Sequence, residues 1–155
     1  MKNFYKKGIT LLEVLMAVAI LGIIVSVALP QFSKIKENQV LQNTTQEILS
    51  ALRQAQSQSL ASVSLGEFGV HFQKDQIVIF KGQSFSAGAM DNNVIDIVSP
   101  ANISNVTFSG LSSETGDIYF SRLSGVPNKN GTITVSTPSN SKTITLSATG
   151  TASVN

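Results

Sequence analysis

Residues 6 to 30 read Lys6-Lys7-Gly8-Ile9-Thr10-Leu11-Leu12-Glu13-Val14-Leu15-Met16-Ala17-Val18-Ala19-Ile20-Leu21-Gly22-Ile23-Ile24-Val25-Ser26-Val27-Ala28-Leu29-Pro30. From Ile9 to Leu29 the run is apolar apart from one charge, Glu13. As a helix its 21 residues reach roughly 32 Å, enough for a hydrocarbon core of roughly 30 Å. Lys2, Lys6 and Lys7 precede it with no acid among them. Short basic flanks of this kind stay on the cytoplasmic side, so the rest of the chain is expected outside the cytoplasm.

A secretory signal peptide also opens basic and then apolar, but its apolar core is about 7–15 residues and ends at a small-residue cleavage site. Ser26-Val27-Ala28 supplies such a site, so release of a β domain after Ala28 is the competing reading. Glu13 separates the two. A carboxylate at the centre of a membrane helix costs about 2.5–3.5 kcal/mol, and intramembrane acids usually have a partner or a role. A cut between Gly8 and Ile9 would create a cationic amine one helical turn from Glu13 and remove all three leader lysines. The plain alternative is an acid that reaches up to the headgroups from its place near the start of the run.

On these residues the chain resembles the type IV pilin-like family, which includes the pseudopilins of type II secretion. The family's signature is a basic leader ending in Gly, an apolar residue, a small polar one, two aliphatics and a Glu five residues after the cut. Here it reads Lys7-Gly8-Ile9-Thr10-Leu11-Leu12-Glu13. Ile9 departs from the commoner Phe. The resemblance implies cleavage after Gly8 by a prepilin peptidase and methylation of the Ile9 amine. It also implies pairing of Glu13 with the amine of a neighbouring subunit during assembly. The implied partners are other pilins or pseudopilins, the peptidase, an inner-membrane assembly platform, and membrane lipid before assembly.

Pro30 removes an amide hydrogen and leaves the Ser26 carbonyl without its helical donor, so a bend or loosening is expected there. Gly22 costs about 1 kcal/mol against Ala in a helix interior, while small residues permit close packing of membrane helices. In the resembling family both positions recur, which implies a part for Gly22 and Pro30 in assembly. From Gln31 to Ser64 the helical character continues with a different surface. Leu41, Ile48, Leu52 and Ala55 form one stripe among polar residues, the pattern of a soluble helix docked under a sheet.

After Leu65 the composition turns to strands. Phe68, Val70 and Phe72 alternate, Gln73-Lys74-Asp75 reads as a turn, and Gln76 to Lys81 returns, giving a hairpin. Further strands are expected at Val94 to Val98, Val106 to Phe108, Asp117 to Ser121, Thr132 to Ser136 and Lys142 to Ser147. Ser136 to Ser141 is turn chemistry between two strands whose Ile133, Val135, Ile144 and Leu146 face one core. The expected class is α+β: a leader over 1–8, an assembly helix over 9–29, an amphipathic helix over 30–64 and an extracytoplasmic antiparallel sheet or sandwich over 65–155. Gly116 to Ser121, Thr132 to Val135 and Lys142 to Ser147 followed by Gly150 resemble the GspH/FimT-type branch of minor pilins and pseudopilins.

The chain has no cysteine, which excludes a disulfide, a thiolate metal site and a cysteine nucleophile. Its formal charge is +2, but without the three leader lysines eight basic side chains face nine acidic ones. His71 is the only histidine and sits in an alternating strand, where a structural role is expected. Asp91, Asn92, Asn93 and Asp96 are the densest oxygen cluster, without the spacing of a calcium-binding EF-hand. They read as a solvated loop, and no metal, cofactor or enzymatic activity is expected. After Asp117 the chain carries Arg122, Lys129 and Lys142 and no acid. Some FimT-like minor pilins bind DNA through this region, and phosphate attraction would need such cations. Three scattered cations without interleaved aromatics read as a solvated face ahead of a DNA contact.

Overall fold

The computed structural model describes residues 8–155, the side chains of 27–30 excepted. The lysines of the leader therefore lie outside the described residues, as does the side chain of Ala28. One helix, α1, runs Leu11–Leu60, and nine strands follow. They are β1 Phe68–Phe72, β2 Gln76–Lys81, β3 Asn93–Asp96, β4 Asn102–Phe108, β5 Leu111–Ser113, β6 Gly116–Phe120, β7 Gly131–Ser136, β8 Ser141–Leu146 and β9 Ala152–Val154. The α+β class is as expected.

The chain divides into two units, one ending at Lys36 and one spanning Glu37–Asn155. In the second unit the helix buries Leu41, Thr44, Thr45, Ile48, Leu49, Ala51, Leu52, Ala55 and Ser59. Steps of three and four between them place these residues along one face of a 3.6-residue helix. Of the two threonines on that face, Thr45 has its polar group satisfied locally, its Oγ1 donating to the Leu41 carbonyl at 2.6 Å. The helix ends at Leu60, short of the expected 64. Ser62, Ser64 and Leu65 take positive φ values of 51°, 48° and 56°, which no α-helix accommodates, and residues Val63–Leu65 form a short 3-10 turn.

The strands form two antiparallel sheets, ordered β3-β2-β1-β6 and β5-β4-β7-β8-β9. The expected hairpin is present, with Phe72 opposite Ile77 and Phe68 opposite Lys81. So is the second, in which Ile133 faces Ile144 across β7 and β8. One core joins the helix stripe to Val70, Phe72, Ile77, Ile79, Ile118 and Phe120 of the first sheet and Ile103, Val106, Ile133, Val135, Ile144 and Leu146 of the second. Gly69 is required in β1: a Cβ there would lie 2.4 Å from the Ile118 carbonyl and 2.5 Å from the Phe80 ring. β5 and β9, three residues each, and the first half of β4 were not expected from the sequence.

Candidate functional site

The amino-terminal part of α1 starts with a cap. The Glu13 amide donates to Thr10 Oγ1 at 3.2 Å and the Val14 amide to the Thr10 carbonyl at 3.2 Å. Thr10 is thus the N-cap and Glu13 the third helical residue. Thr-x-x-Glu is the spacing of a capping box, a signal present in the sequence that explains where the helix begins. It puts the one acid of the apolar run in the first turn, where the helix dipole favours negative charge.

Beyond that turn and as far as Val25 the helix has no polar side. Leu11, Leu15, Ile20 and Ile23 are 55–80 % exposed, and Leu12, Met16, Val18, Leu21, Ile24 and Val25 are exposed with them. An apolar surface on every side of a helix suits lipid or the interior of an assembly, whereas a stripe suits one protein face. The helix is long and apolar enough to cross a membrane, and Ser26 Oγ donates to the Ile23 carbonyl at 2.8 Å, so its hydroxyl needs no water. Gly22 has open space where a Cβ would stand. The helix is continuous through Pro30. Gly8 and Ile9 lie just ahead of it, Ile9 75 % exposed.

The other sequence candidates are not gathered into a site. Arg122 donates from Nη1 to the Leu65 carbonyl at 3.3 Å, beside the end of α1. Lys129 lines a crevice with Val106, Phe108, Leu111 and Asp117, two residues before β7 starts at Gly131. Lys142 stands opposite Val135 near the other end of that strand. The six residues of β7 put roughly 17 Å between its ends, so Lys129 and Lys142 do not make one phosphate-binding patch.

His71 is held structurally. Its Nδ1 meets Asp117 Oδ1 and its Nε2 lies 2.9 Å from Gln73 Nε2. Phe85 stacks on the ring with centroids 3.9 Å apart and planes 6° from parallel, and it meets Phe80 edge-on. Asn92 Nδ2 donates to the Ser86 carbonyl at 2.8 Å, and of the expected solvated loop only Asp91 and Asn92 lie outside a strand, because Asn93 and Asp96 pair with β2 as the ends of β3. Among the described residues no group of three or more His, Asp and Glu side chains is placed to hold a metal ion. One concavity of about 250 Å³ is lined by Lys74, Asn102, Ile103, Ser104 and Glu114.

Residues 3–29 match the family model of the prokaryotic N-terminal methylation motif. Residues 44–150, well over half of the chain, match that of the type II transport protein GspH. No curated protein and no solved structure matches the chain.

Proposed function

The chain belongs to the GspH family of type II transport proteins, and from that premise we propose that it is a structural subunit of minor pilin or pseudopilin type whose apolar helix serves twice. It anchors the chain in the membrane first and packs among other subunits in a filament afterwards. The observation that carries this is the helix from Leu11 to Val25, exposed on all sides, with its one acid three residues from an N-cap and four from the residue that cleavage after Gly8 would make the new terminus.

In this reading a prepilin peptidase removes residues 1–8 and the Ile9 amine is methylated. In lipid an isolated carboxylate and an isolated ammonium are each costly. A subunit whose Glu13 meets the Ile9 amine of its neighbour satisfies both, and an axial stagger that misses the pair leaves both unsatisfied. Glu13 therefore selects register. The basic leader places the folded unit outside the cytoplasm.

Mass analysis of the mature amino terminus tests the reading. A chain that begins at methylated Ile9 is expected. A chain that begins at Leu29 would identify a released β domain and overturn it.

A further inference from the structure

The turn that follows α1 and the turn that follows β6 meet in a surface that is both strained and apolar. Ser62, Ser64 and Leu65 have φ of 51°, 48° and 56°, and Leu123 has 65°. For a side chain as bulky as Leu that conformation is unfavourable. Hydrogen bonds hold it. The Leu123 amide donates to the Ser59 carbonyl, the Leu65 amide to the Ser62 carbonyl and Gln56 Nε2 to the Gly125 carbonyl, each at 3.0 Å. The Ser121 amide closes the second turn onto the Val126 carbonyl at 2.9 Å. Gly125 packs on Leu60 so closely that a Cβ there would lie 2.7 Å from the Leu60 Cγ. On these joined turns Leu60, Val63, Leu65, Leu123 and Val126 are 42–79 % exposed.

One charge stands among them. Arg122 is exposed, and its Nη1 bond to the Leu65 carbonyl fixes the guanidinium beside that apolar side chain. Its other N–H donors have no partner among the described residues, and no carboxylate pairs with it there. Residues 57–66 and 121–126 contain no acid. Glu67, the next in sequence, accepts from Gln83 Nε2 at 2.7 Å. A Cβ on Gly66 would stand 2.7 Å from Lys81 Cε, so the charge nearest that residue is again positive.

Apolar side chains around an arginine without a counter-charge have the make-up of an interface centre. We propose that this surface docks a different subunit of the same assembly, one that presents a carboxylate among apolar side chains to the free donors of Arg122. A second copy meeting the same patch would set Arg122 against Arg122 across a two-fold axis. A bilayer needs no fixed shape, whereas turns locked in the left-handed region already supply the order that a rigid, complementary partner requires. Nucleic acid would find one cation where phosphate contacts need several. This docking presupposes that the chain is a filament subunit, and it assigns the face that meets a neighbour.

Full-length chains carrying photoreactive p-benzoylphenylalanine in place of Leu65 or Leu123, expressed in cells that make the other pilin-like subunits, are expected to capture one of them on irradiation. Peptide mass analysis identifies the captured subunit by its own N-terminal methylation motif and locates the attachment near an Asp or Glu. Leu123→Gly deletes the side chain at a φ that glycine adopts freely. The fold is kept, while capture from position 65 is expected to fall about tenfold, the loss of one central contact. Arg122→Glu is expected to lower it as much, and exchange of the partner's carboxylate for Lys to restore it. The same probe at Met90, fully exposed on another loop, is expected to capture nothing. Capture of a second copy, lipid or nucleic acid alone, equal capture from Met90, capture unmoved by both substitutions, charge exchange without recovery, or no capture from either position would overturn the docking. A chain that begins at methylated Ile9 yet captures no subunit would refute this surface and leave the filament reading standing.

Discussion

Leu41, Ile48, Leu52 and Ala55 are at most 2 % exposed and Leu11, Leu15, Ile20 and Ile23 are 55–80 % exposed, although all eight stand on one continuous helix. Helix propensity does not distinguish the two regions, since both are built of good or adequate helix formers. What differs is angular order. The later region concentrates its apolar residues on one face, and that face states where its partner lies. The earlier region spreads them round the axis and states only the medium it prefers. Any information about a specific partner in the earlier region must therefore reside in its exceptions: Glu13, Gly22, Ser26 and Pro30.

The largest contrast is expected from the same truncation in each region. Ile48→Ala removes a fully buried side chain and is expected to destabilise the folded unit by about 2–5 kcal/mol. Ile20→Ala, at a 55 % exposed position, should move it by less than about 0.5 kcal/mol. Denaturant unfolding of the full chain in detergent measures both, and equal effects would break the distinction.

Serine gives a smaller contrast of the same kind. Ser59 is buried and its Oγ accepts the Phe68 amide at 2.8 Å, which ties the last turn of α1 to β1. Ser59→Ala leaves that amide without a partner and is expected to cost about 1–3 kcal/mol. Ser26 bonds only within its own helix turn, and Ser26→Ala should leave the unfolding midpoint unchanged within about 0.5 kcal/mol.

Much of this division is legible in the residues. The run to Leu29, the stripe from Leu41 and both hairpins follow from period and turn chemistry, and the family models that match residues 3–29 and 44–150 fit the resemblance read from the leader and the last strands. The misses have physical causes. Leu111-Ser112-Ser113 and Ala152-Ser153-Val154 are too short and polar to show alternation, and they are strands because β4 and β8 offer them an edge. The start of β4 is hidden by a register shift between Ile103 and Asn105, which breaks the period of two. Thr44, Thr45 and Ser59 read as polar, yet are buried. Thr10 with Glu13 carries two readings in one motif, a cap and an assembly key, and only the cap is a property of the isolated chain.

The third contrast concerns that acid. Glu13→Ala is expected to leave the chain in the membrane and to lower its recovery in sheared filaments about tenfold or more, for a pairing worth about 1.4 kcal/mol or more. Glu47→Ala, on the solvent side of the later region, should change neither. Normal recovery of Glu13→Ala would reduce Glu13 to a first-turn acid that suits the dipole.

Gly22→Ala is the smallest change and the one in which two expectations have opposite signs. No atom lies within 4 Å of the added methyl, so the isolated chain meets no clash. Ala in place of Gly in a helix interior is favourable by up to about 1 kcal/mol, and the unfolding midpoint of the second unit should not move, because Gly22 lies in the first. In an assembly the same methyl holds neighbouring helices apart wherever small residues let their backbones approach. Filament recovery is therefore expected to fall by a few fold, within the about tenfold that 1.4 kcal/mol represents, while the helix itself becomes more favourable. Unchanged or increased recovery would show that the apolar region packs through its large side chains alone, and would leave Glu13 as its one partner-specific residue.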